Sequence, residues 1–230
     1  MKHCLLIAFL FITALATHAT YSVMHQHPIP QHPDPSQARE MLLVPTPNLA
    51  RLISLGYHHA AADLLWFKTT AYFGSHIKGD HNIHRLDSLC SSILALNPKA
   101  RHVSLFCAQM LAWELKRPRE AIVYLSTAID NHPGDWFLSY LRGLFYLYFL
   151  SDTKAAQNDL TTAAAHPESF PLVKRLAAKN LATISGPKSG IAFLDLLLST
   201  EKNAETRAAL ERRRDELVSQ LIPEREVEAP

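Results

Sequence analysis

Residues 98–133 read PKARHVSLFCAQMLAWELKRPREAIVYLSTAIDNHP and span one period of an internal repeat. Pro98 and Pro133 are 35 residues apart, and Pro167 follows 34 residues later. Each of these prolines ends one apolar helical run and precedes the next, as proline does at helix boundaries. A fixed period in the thirties is typical of solenoids built from helix pairs, since a single unit cannot bury its apolar face alone. The sequence therefore predicts an all-α fold.

The spacing of apolar residues between the prolines predicts the helices of two units. One helix is expected over residues 101–116, with its apolar face at 103, 106, 107, 110 and 111, and its partner over 119–131. The next pair is expected over 135–150 and 153–165. Gly143 lies in the middle of a helix, where glycine costs about 1 kcal/mol relative to alanine. We expect it where the partner helix approaches closely.

Small residues recur in register with the prolines. When the three prolines share one repeat position, a small residue occupies the same position in four successive first helices, at Gly74, Ala108, Gly143 and Ala177. Ala155 opens a second helix in the same way, as does Ala121 after a one-residue insertion. The pattern over residues 57–200 resembles the tetratricopeptide repeat family, although no unit carries the family's full tryptophan, leucine, glycine and tyrosine set. The resemblance implies a right-handed α-solenoid with a concave surface.

In that family the first helix of each unit lines the concave face, which holds a protein or peptide partner. The resemblance therefore implies a non-enzymatic protein-binding scaffold. Several of the groove positions that the resemblance implies are aromatic residues, which are typical of interface anchors. Packing between units is an equally good explanation for several of these aromatic residues. The groove positions implied are His102, Leu105, Gln109 and Trp113 in one unit, Phe137, Tyr140, Leu144 and Tyr148 in the next, and Lys174 in the unit after.

The start of the repeat region has its own pattern. Leu55-Gly56-Tyr57, residues 62–66 and Tyr72-Phe73-Gly74 are similar to the opening of a group of exported bacterial repeat proteins, which implies an envelope location. The helix expected over 58–77 is long and apolar, so we expect burial on more than one side. Asp63 within it would need a hydrogen-bonding or cationic partner if buried. Such a helix suits an alternative function, a structural subunit of a membrane-anchored envelope or secretion assembly.

Residues 1–19 have the pattern of an export signal. A basic start at Lys2 precedes an apolar core over 4–16 and small residues that suit cleavage. The core is shorter than the about 20 residues of a spanning helix, which favours cleavage. The alternative is retention as an inner-membrane anchor, with residues 4–19 in contact with the bilayer. Both alternatives predict an exported protein, in the periplasm or facing it.

The remaining segments complete the predicted organisation. Residues 20–48 are rich in proline and histidine and are expected to form a spacer, with metal capture by the histidines as the alternative. Residues 49–222 form the predicted repeat domain. Within it, a helix is expected over 188–199, and a polar helix over 204–221 would cap the array. Residues 223–230 are expected to be a frayed tail.

Composition and motifs argue against several function classes. The formal net charge is +2, which indicates no basic stripe and no nucleic-acid partner. We find no nucleophile elbow, P-loop, dinucleotide glycine pattern or zinc-protease motif, so we expect no enzyme, cofactor or catalytic residue. Asp80, His81 and His84 could bind a metal, but four ligands at defined spacing are typical of structural zinc, so surface or capping roles are expected instead.

Cys90 and Cys107 are the cysteines that remain after residue 19. They lie about equally far from the turn at Pro98, and so at matching heights on two predicted helices. An oxidising envelope compartment would allow them to form a disulfide. Packed helices lie about 8 to 10 Å apart, whereas a disulfide needs Cα atoms within about 7 Å. A structural disulfide and two buried free thiols therefore both remain open.

Overall fold

The structure is a computed structural model that describes residues 44–221. Over that range the chain forms ten helices and no strand, as the all-α prediction requires. None of the described helices combines the length and the apolar character needed to cross a bilayer. The predicted signal, most of the predicted spacer and the predicted tail lie outside the described residues. The helices are α1 (Pro47–Ile53), α2 (His58–Ile77), α3 (Leu86–Leu96), α4 (Arg101–Trp113), α5 (Pro118–Asn131), α6 (Trp136–Leu150), α7 (Thr153–Ala165), α8 (Pro171–Ser185), α9 (Pro187–Thr200) and α10 (Ala204–Ser219).

Short polar caps explain where several helices begin. Asp135 precedes α6, and its carboxylate accepts a hydrogen bond from the Phe137 backbone N–H at 3.1 Å. Asp152 precedes α7 and accepts from the Ala155 N–H at 2.9 Å. Each carboxylate satisfies a donor that the first helical turn leaves free. The predicted bounds of α2 and α7 agree with the structure.

The end of α4 differs from the prediction by three residues. The helix ends at Trp113 instead of residue 116. Lys116 adopts a positive φ of 55°, and the Arg117 N–H donates to the Leu111 carbonyl at 2.8 Å. The left-handed residue stops the helix, and Pro118 then begins α5, where a missing N–H costs nothing.

Each described helix packs on helices close to it in the chain. Contacts join helices that are consecutive or one apart, as in α4 with α5 and α4 with α6. Arg101 pairs with Asp135 at the N-terminal ends of α4 and α6. Trp113 and Tyr148 meet at the C-terminal ends of the same helices, with ring centroids 5.0 Å apart. The two helices therefore run side by side in the same direction.

Buried apolar clusters occupy the spaces between consecutive helices. One joins α4, α5 and α6, and Leu111, Leu125 and Phe145 within it are fully buried. Others join α6, α7 and α8 and then α8, α9 and α10, so apolar packing continues along the described chain. Burial of such side chains contributes about 1.5 to 3 kcal/mol each, which is the main stabilisation of helices this short.

The small residues of the repeat pattern have two different environments. Gly143 is buried where α6 meets α7, and a Cβ there would lie 3.0 Å from Leu160 Cγ, which confirms the predicted close approach. Ala108 and Ala177 are also fully buried. Gly74 is exposed, and a Cβ there would have no neighbour within 4 Å. The close packing found at Ala108, Gly143 and Ala177 is therefore absent at this first position in the described chain.

Helix α2 buries only one side. Leu65 and Tyr72 face the neighbouring helices, whereas Leu64 and Phe67 are 68% and 73% exposed. The expected burial on more than one side is therefore wrong, because no described element covers the outer face. Asp63 lies on that exposed side, so its carboxylate is hydrated and needs no protein partner.

Candidate functional site

The C-terminal ends of α4 and α6 form an aromatic cluster. Trp113 packs against Tyr148 and Phe149, with ring centroids 5.0 and 4.8 Å away. Phe149 is half-buried against the apolar cluster beneath, which fixes its ring. Trp113 is 38% exposed and Tyr148 is 64% exposed. These two predicted groove residues therefore contact each other and also remain open to a partner.

The N-terminal end of α6 carries the other two predicted groove aromatics. Phe137 and Tyr140 are half-buried, with ring centroids 5.9 Å apart. The guanidinium of Arg101 lies 5.9 Å from the Phe137 ring centroid and is hydrogen-bonded to Asp135. That hydrogen bond from Arg101 holds the pKa of the Asp135 carboxyl below its usual range. The carboxylate is therefore ionised and already paired.

Two further predicted groove residues lie on α4. His102 is exposed, and its ring meets Trp66 of α2 edge-on at 5.2 Å. Gln109 is half-buried. Trp66 was not among the predicted site residues, although it connects α2 to this surface through both His102 and Phe106. The helical spacing places 102, 109 and 113 along α4, so these polar and aromatic groups follow one side of the helix.

Lys174 does not belong to an open surface. Its side chain is 6% exposed, and its ammonium pairs with the Glu201 carboxylate, which is 11% exposed. The hydrogen bond from Lys174 lowers the pKa of Glu201, which favours the ionised carboxylate. A buried ammonium needs such a partner, and Glu201 occupies the position that a ligand would take. The expectation that Lys174 contacts a binding partner is therefore corrected.

Cys90 and Cys107 form a disulfide between α3 and α4. Their Cα atoms are 6.1 Å apart, within the range for this bond. Both residues are buried. Of the two alternatives left open by the sequence, the structure contains the bridged one. The bond joins two helices on opposite sides of Pro98 and has no exposed sulfur for catalysis.

Two polar networks were missed by the sequence analysis. The Tyr124 hydroxyl of α5 bonds to Ser91 and Asp87 of α3, at 2.7 and 2.8 Å, and burial raises the pKa of Tyr124. Arg142 of α6 donates to Asp159 of α7 and to Ser126 of α5. These groups belong to different helices and have no shared motif, so no local signal identified them. Each network joins helices instead of forming a reactive centre.

The histidines near the end of α2 are engaged in local hydrogen bonds. His76 Nδ1 lies 2.6 Å from Asp80, and His84 Nδ1 lies 2.5 Å from the Asn82 side chain. His81 is exposed and has a positive φ of 55°. Among the described residues, no group of three or more histidine, cysteine or carboxylate side chains is placed to hold a metal ion.

No protein-family model matches the chain, and no curated protein matches it significantly. Any functional assignment therefore rests on the residues of the chain itself. Among the described residues, Trp113 and Tyr148 combine exposure of 38% and 64% with direct ring contact.

Proposed function

We propose that the chain is a non-enzymatic scaffold of the bacterial cell envelope that holds a protein or peptide on a surface formed by α4 and α6. The observation that carries this proposal is the contact between Trp113 and Tyr148, whose rings are 38% and 64% exposed. Amphipathic rings of this kind anchor interfaces because they bury a large apolar area and keep a polar tip. We call this pair the aromatic anchor.

A tetratricopeptide-like right-handed solenoid is the architecture that we propose for the scaffold. Support comes from helices that pack only on near neighbours in the chain and from α4 and α6, which run in the same direction. Buried Ala108, Gly143 and Ala177 recur at the small-residue position of successive units. First helices aligned in this way would place their exposed side chains on one common surface.

The envelope location is part of the same proposal. Residues 1–19 have the pattern of an export signal, and Cys90 and Cys107 form a disulfide, a bond that persists in oxidising compartments. Detection of the chain in the periplasmic or membrane fraction, after fractionation of its native host, tests this part. Recovery from the cytosol alone would contradict it.

The groove is tested by replacing the aromatic anchor. The full chain is purified from its native envelope with its partners, alongside Trp113→Ala, Tyr148→Ala and the control Val123→Ala. Val123 is 63% exposed and belongs to α5, not to either helix of the anchor. We expect the anchor variants to lose a partner that the control retains. Unchanged recovery of every partner by both anchor variants would remove the groove assignment.

The second candidate is a structural subunit of a membrane-anchored envelope assembly. It is favoured by large apolar side chains exposed at the start of the described chain, where apolar patches mark interaction sites. We call these residues the α1–α2 apolar group: Leu52, Leu55, Tyr57, Leu64 and Phe67, which are 72%, 83%, 78%, 68% and 73% exposed.

The two candidates differ in which surface holds the partner. Leu64→Ser with Phe67→Ser would release the partner of a docked subunit, and the anchor variants would release the partner of a scaffold. The mass of the mature N-terminus adds an independent criterion. Retention of residues 1–19 favours the docked subunit, and cleavage favours the scaffold.

A further inference from the structure

A cleft of about 680 Å³ lies at the ends of α5, α6 and α7. Its volume is within the usual range of ligand sites, about 300 to 1,000 Å³. The last turns of α5 and α7 form two of its sides, and the first turn of α6 forms the third. The polar and aromatic residues that line it are Asp130, Asp135, Trp136, Ser139, Thr162 and His166.

The charges that line this cleft are negative. It contains two carboxylates and neither lysine nor arginine among its lining residues. Asp135 is already paired with Arg101. Asp130 is exposed and makes no side-chain hydrogen bond or ion pair within the described chain, although its charge acts on Arg142. That guanidinium is itself held by Asp159, so the Asp130 carboxylate remains available.

The ends of two helices add to the negative potential. Carbonyl groups in the last turns of α5 and α7 carry partial negative charge at the lining residues Asp130 and Thr162. The opposite, positive end of α6 is already met by its capping carboxylate, Asp135. An anion would therefore be repelled from the cleft.

Ser139 provides an independent sign of a ligand site. The residue is only 7% exposed and lines the cleft. Its hydroxyl makes no hydrogen bond to any described residue, whereas buried polar groups are usually satisfied. Every fully buried side-chain oxygen or nitrogen among the described residues has a hydrogen-bond partner. The unpaired Ser139 hydroxyl is therefore not fully buried, and it is open to the cleft that the residue lines. A ligand with a hydrogen-bonding group would meet it there.

Trp136 supplies the aromatic wall. Its ring is half-buried and fixed by edge-on contacts with Phe137 and Phe170, at 5.7 and 5.0 Å between centroids. The His166 ring lies 6.4 Å away at an interplanar angle of 30°. An indole beside a free carboxylate attracts organic cations, because the ring face is negative and indole is the strongest such partner among side chains.

We propose that this cleft binds the guanidinium or ammonium group of a basic side chain that the protein partner presents. Asp130 supplies the counter-charge, Ser139 an oxygen acceptor and Trp136 the ring face. This inference rests on the proposed scaffold function and adds the chemistry of its partner, a segment with arginine or lysine. The site is at the turns between units and is separate from the aromatic anchor of Trp113 and Tyr148.

The test uses a matched pair of tripeptide probes. Acetyl-Gly-Arg-Gly-amide is titrated into the full chain and compared with the same tripeptide carrying citrulline, which has the shape of arginine without its charge. Binding is followed by the NMR signals of the tryptophan indole N–H groups. We expect arginine to shift the signal of Trp136 and to leave those of Trp66 and Trp113 unchanged. Citrulline should bind at least about tenfold more weakly, as expected for loss of a charged hydrogen bond.

Binding of the arginine probe to substituted chains tests which residues form the cation site. Asp130→Asn should weaken the arginine probe about tenfold, and Ser139→Ala should weaken it less. The control Asp215→Asn removes a carboxylate from α10 whose side chain is 75% exposed, and it should leave binding unchanged. Asp130 is exposed, so its variant should fold, which circular dichroism verifies. Equal binding of arginine and citrulline, or no effect of Asp130→Asn, would overturn the proposal.

The cleft and the scaffold can fail separately. Loss of the natural partner from the Trp113 and Tyr148 variants, without any probe binding, would keep the scaffold and remove the cleft. Probe binding that depends on Asp130, with every partner retained by the anchor variants, would keep the cleft as a cation site and remove the proposed groove.

Discussion

Two helical glycines give a direct test of the packing between consecutive helices. Gly190 in α9 is buried, and a Cβ there would lie 2.8 Å from Leu217 Cδ1 and 2.9 Å from both the Ala178 carbonyl oxygen and Ala182 Cβ. The leucine end can move, but the backbone oxygen and the alanine cannot move without a shift of α8. Gly74 in α2 is exposed, and a Cβ there would meet nothing within 4 Å.

Substitution by alanine should therefore have opposite effects at the two positions. Gly74→Ala should stabilise the chain by up to about 1 kcal/mol, because alanine is the better helix former. Gly190→Ala gains the same propensity but adds overpacking that typically costs about 1 to 3 kcal/mol. The propensity contribution cancels in the comparison, so Gly190→Ala should be the less stable of the two variants by about 1 to 3 kcal/mol.

The free energy of unfolding is measured by urea titration, with helix content followed by circular dichroism at equilibrium. The midpoint and the slope are compared for the wild type and both variants, since a changed slope would indicate altered cooperativity. Gly143→Ala provides an intermediate case, because a Cβ there would lie 3.0 Å from Leu160 Cγ and 3.2 Å from Asp159 Cβ, farther than the contacts at Gly190 and with no backbone atom among them. A Gly190→Ala variant as stable as Gly74→Ala would refute the described contact of α9 with α8 and α10.

Three further predictions concern the ionic and covalent contacts. Replacing Cys90 and Cys107 by serine should lower the free energy of unfolding by about 3 kcal/mol, because the disulfide closes a loop of similar length to those for which this value is expected. The two cysteines are 17 residues apart in the sequence. An unchanged urea midpoint in the double variant would contradict this prediction. Glu201→Gln should destabilise the chain by about 3 to 5 kcal/mol because it leaves Lys174 buried and unpaired, and adding Lys174→Met should restore part of that loss in the same titration. Stability should also fall in acid. In the folded chain, Arg101 lowers the pKa of Asp135 from 3.8, and Lys174 lowers the pKa of Glu201 from 4.5. The stability that these carboxylates contribute is complete above 3.8 and 4.5, and it is lost as the pH falls through their lower pKa values in the folded state. Thermal melting as a function of pH verifies this, and Asp135→Asn should show a smaller loss between neutral pH and pH 3 than the wild type.

The sequence predicts the helices well where the signal is local. Prolines and capping carboxylates mark the ends of α5, α6 and α7 to within a residue or two, because each acts on backbone groups a few positions away. Gly143 was also interpreted correctly, since a glycine in mid-helix has few explanations other than close packing. Periodicity and helix-end chemistry are therefore sufficient for the all-α class.

Contacts between distant residues could not be predicted in this way. The outer face of α2 also carries large apolar side chains, Leu64 and Phe67, so the composition of the helix alone does not say which face its neighbours cover. The family resemblance places Lys174 in a groove, and its partner Glu201, which is 27 residues away, gives no local signal against that assignment. The cleft could not be predicted for the same reason, since Asp130 and Ser139 come from two helices and form no motif.

The disulfide between Cys90 and Cys107 also determines how the chain would respond to tension. A force applied at the two ends of the polypeptide would pass through the sulfur bridge, and the residues between the cysteines would carry none of it. The bridged Cα atoms are 6.1 Å apart and separated by 17 residues. At about 3.6 Å per residue, an oxidised molecule stretched in an optical trap should be shorter by roughly 50 to 60 Å than a reduced one at full extension. The end of α3 and the start of α4, which lie between the two cysteines, would then bear no tension while the helices beyond them are pulled apart.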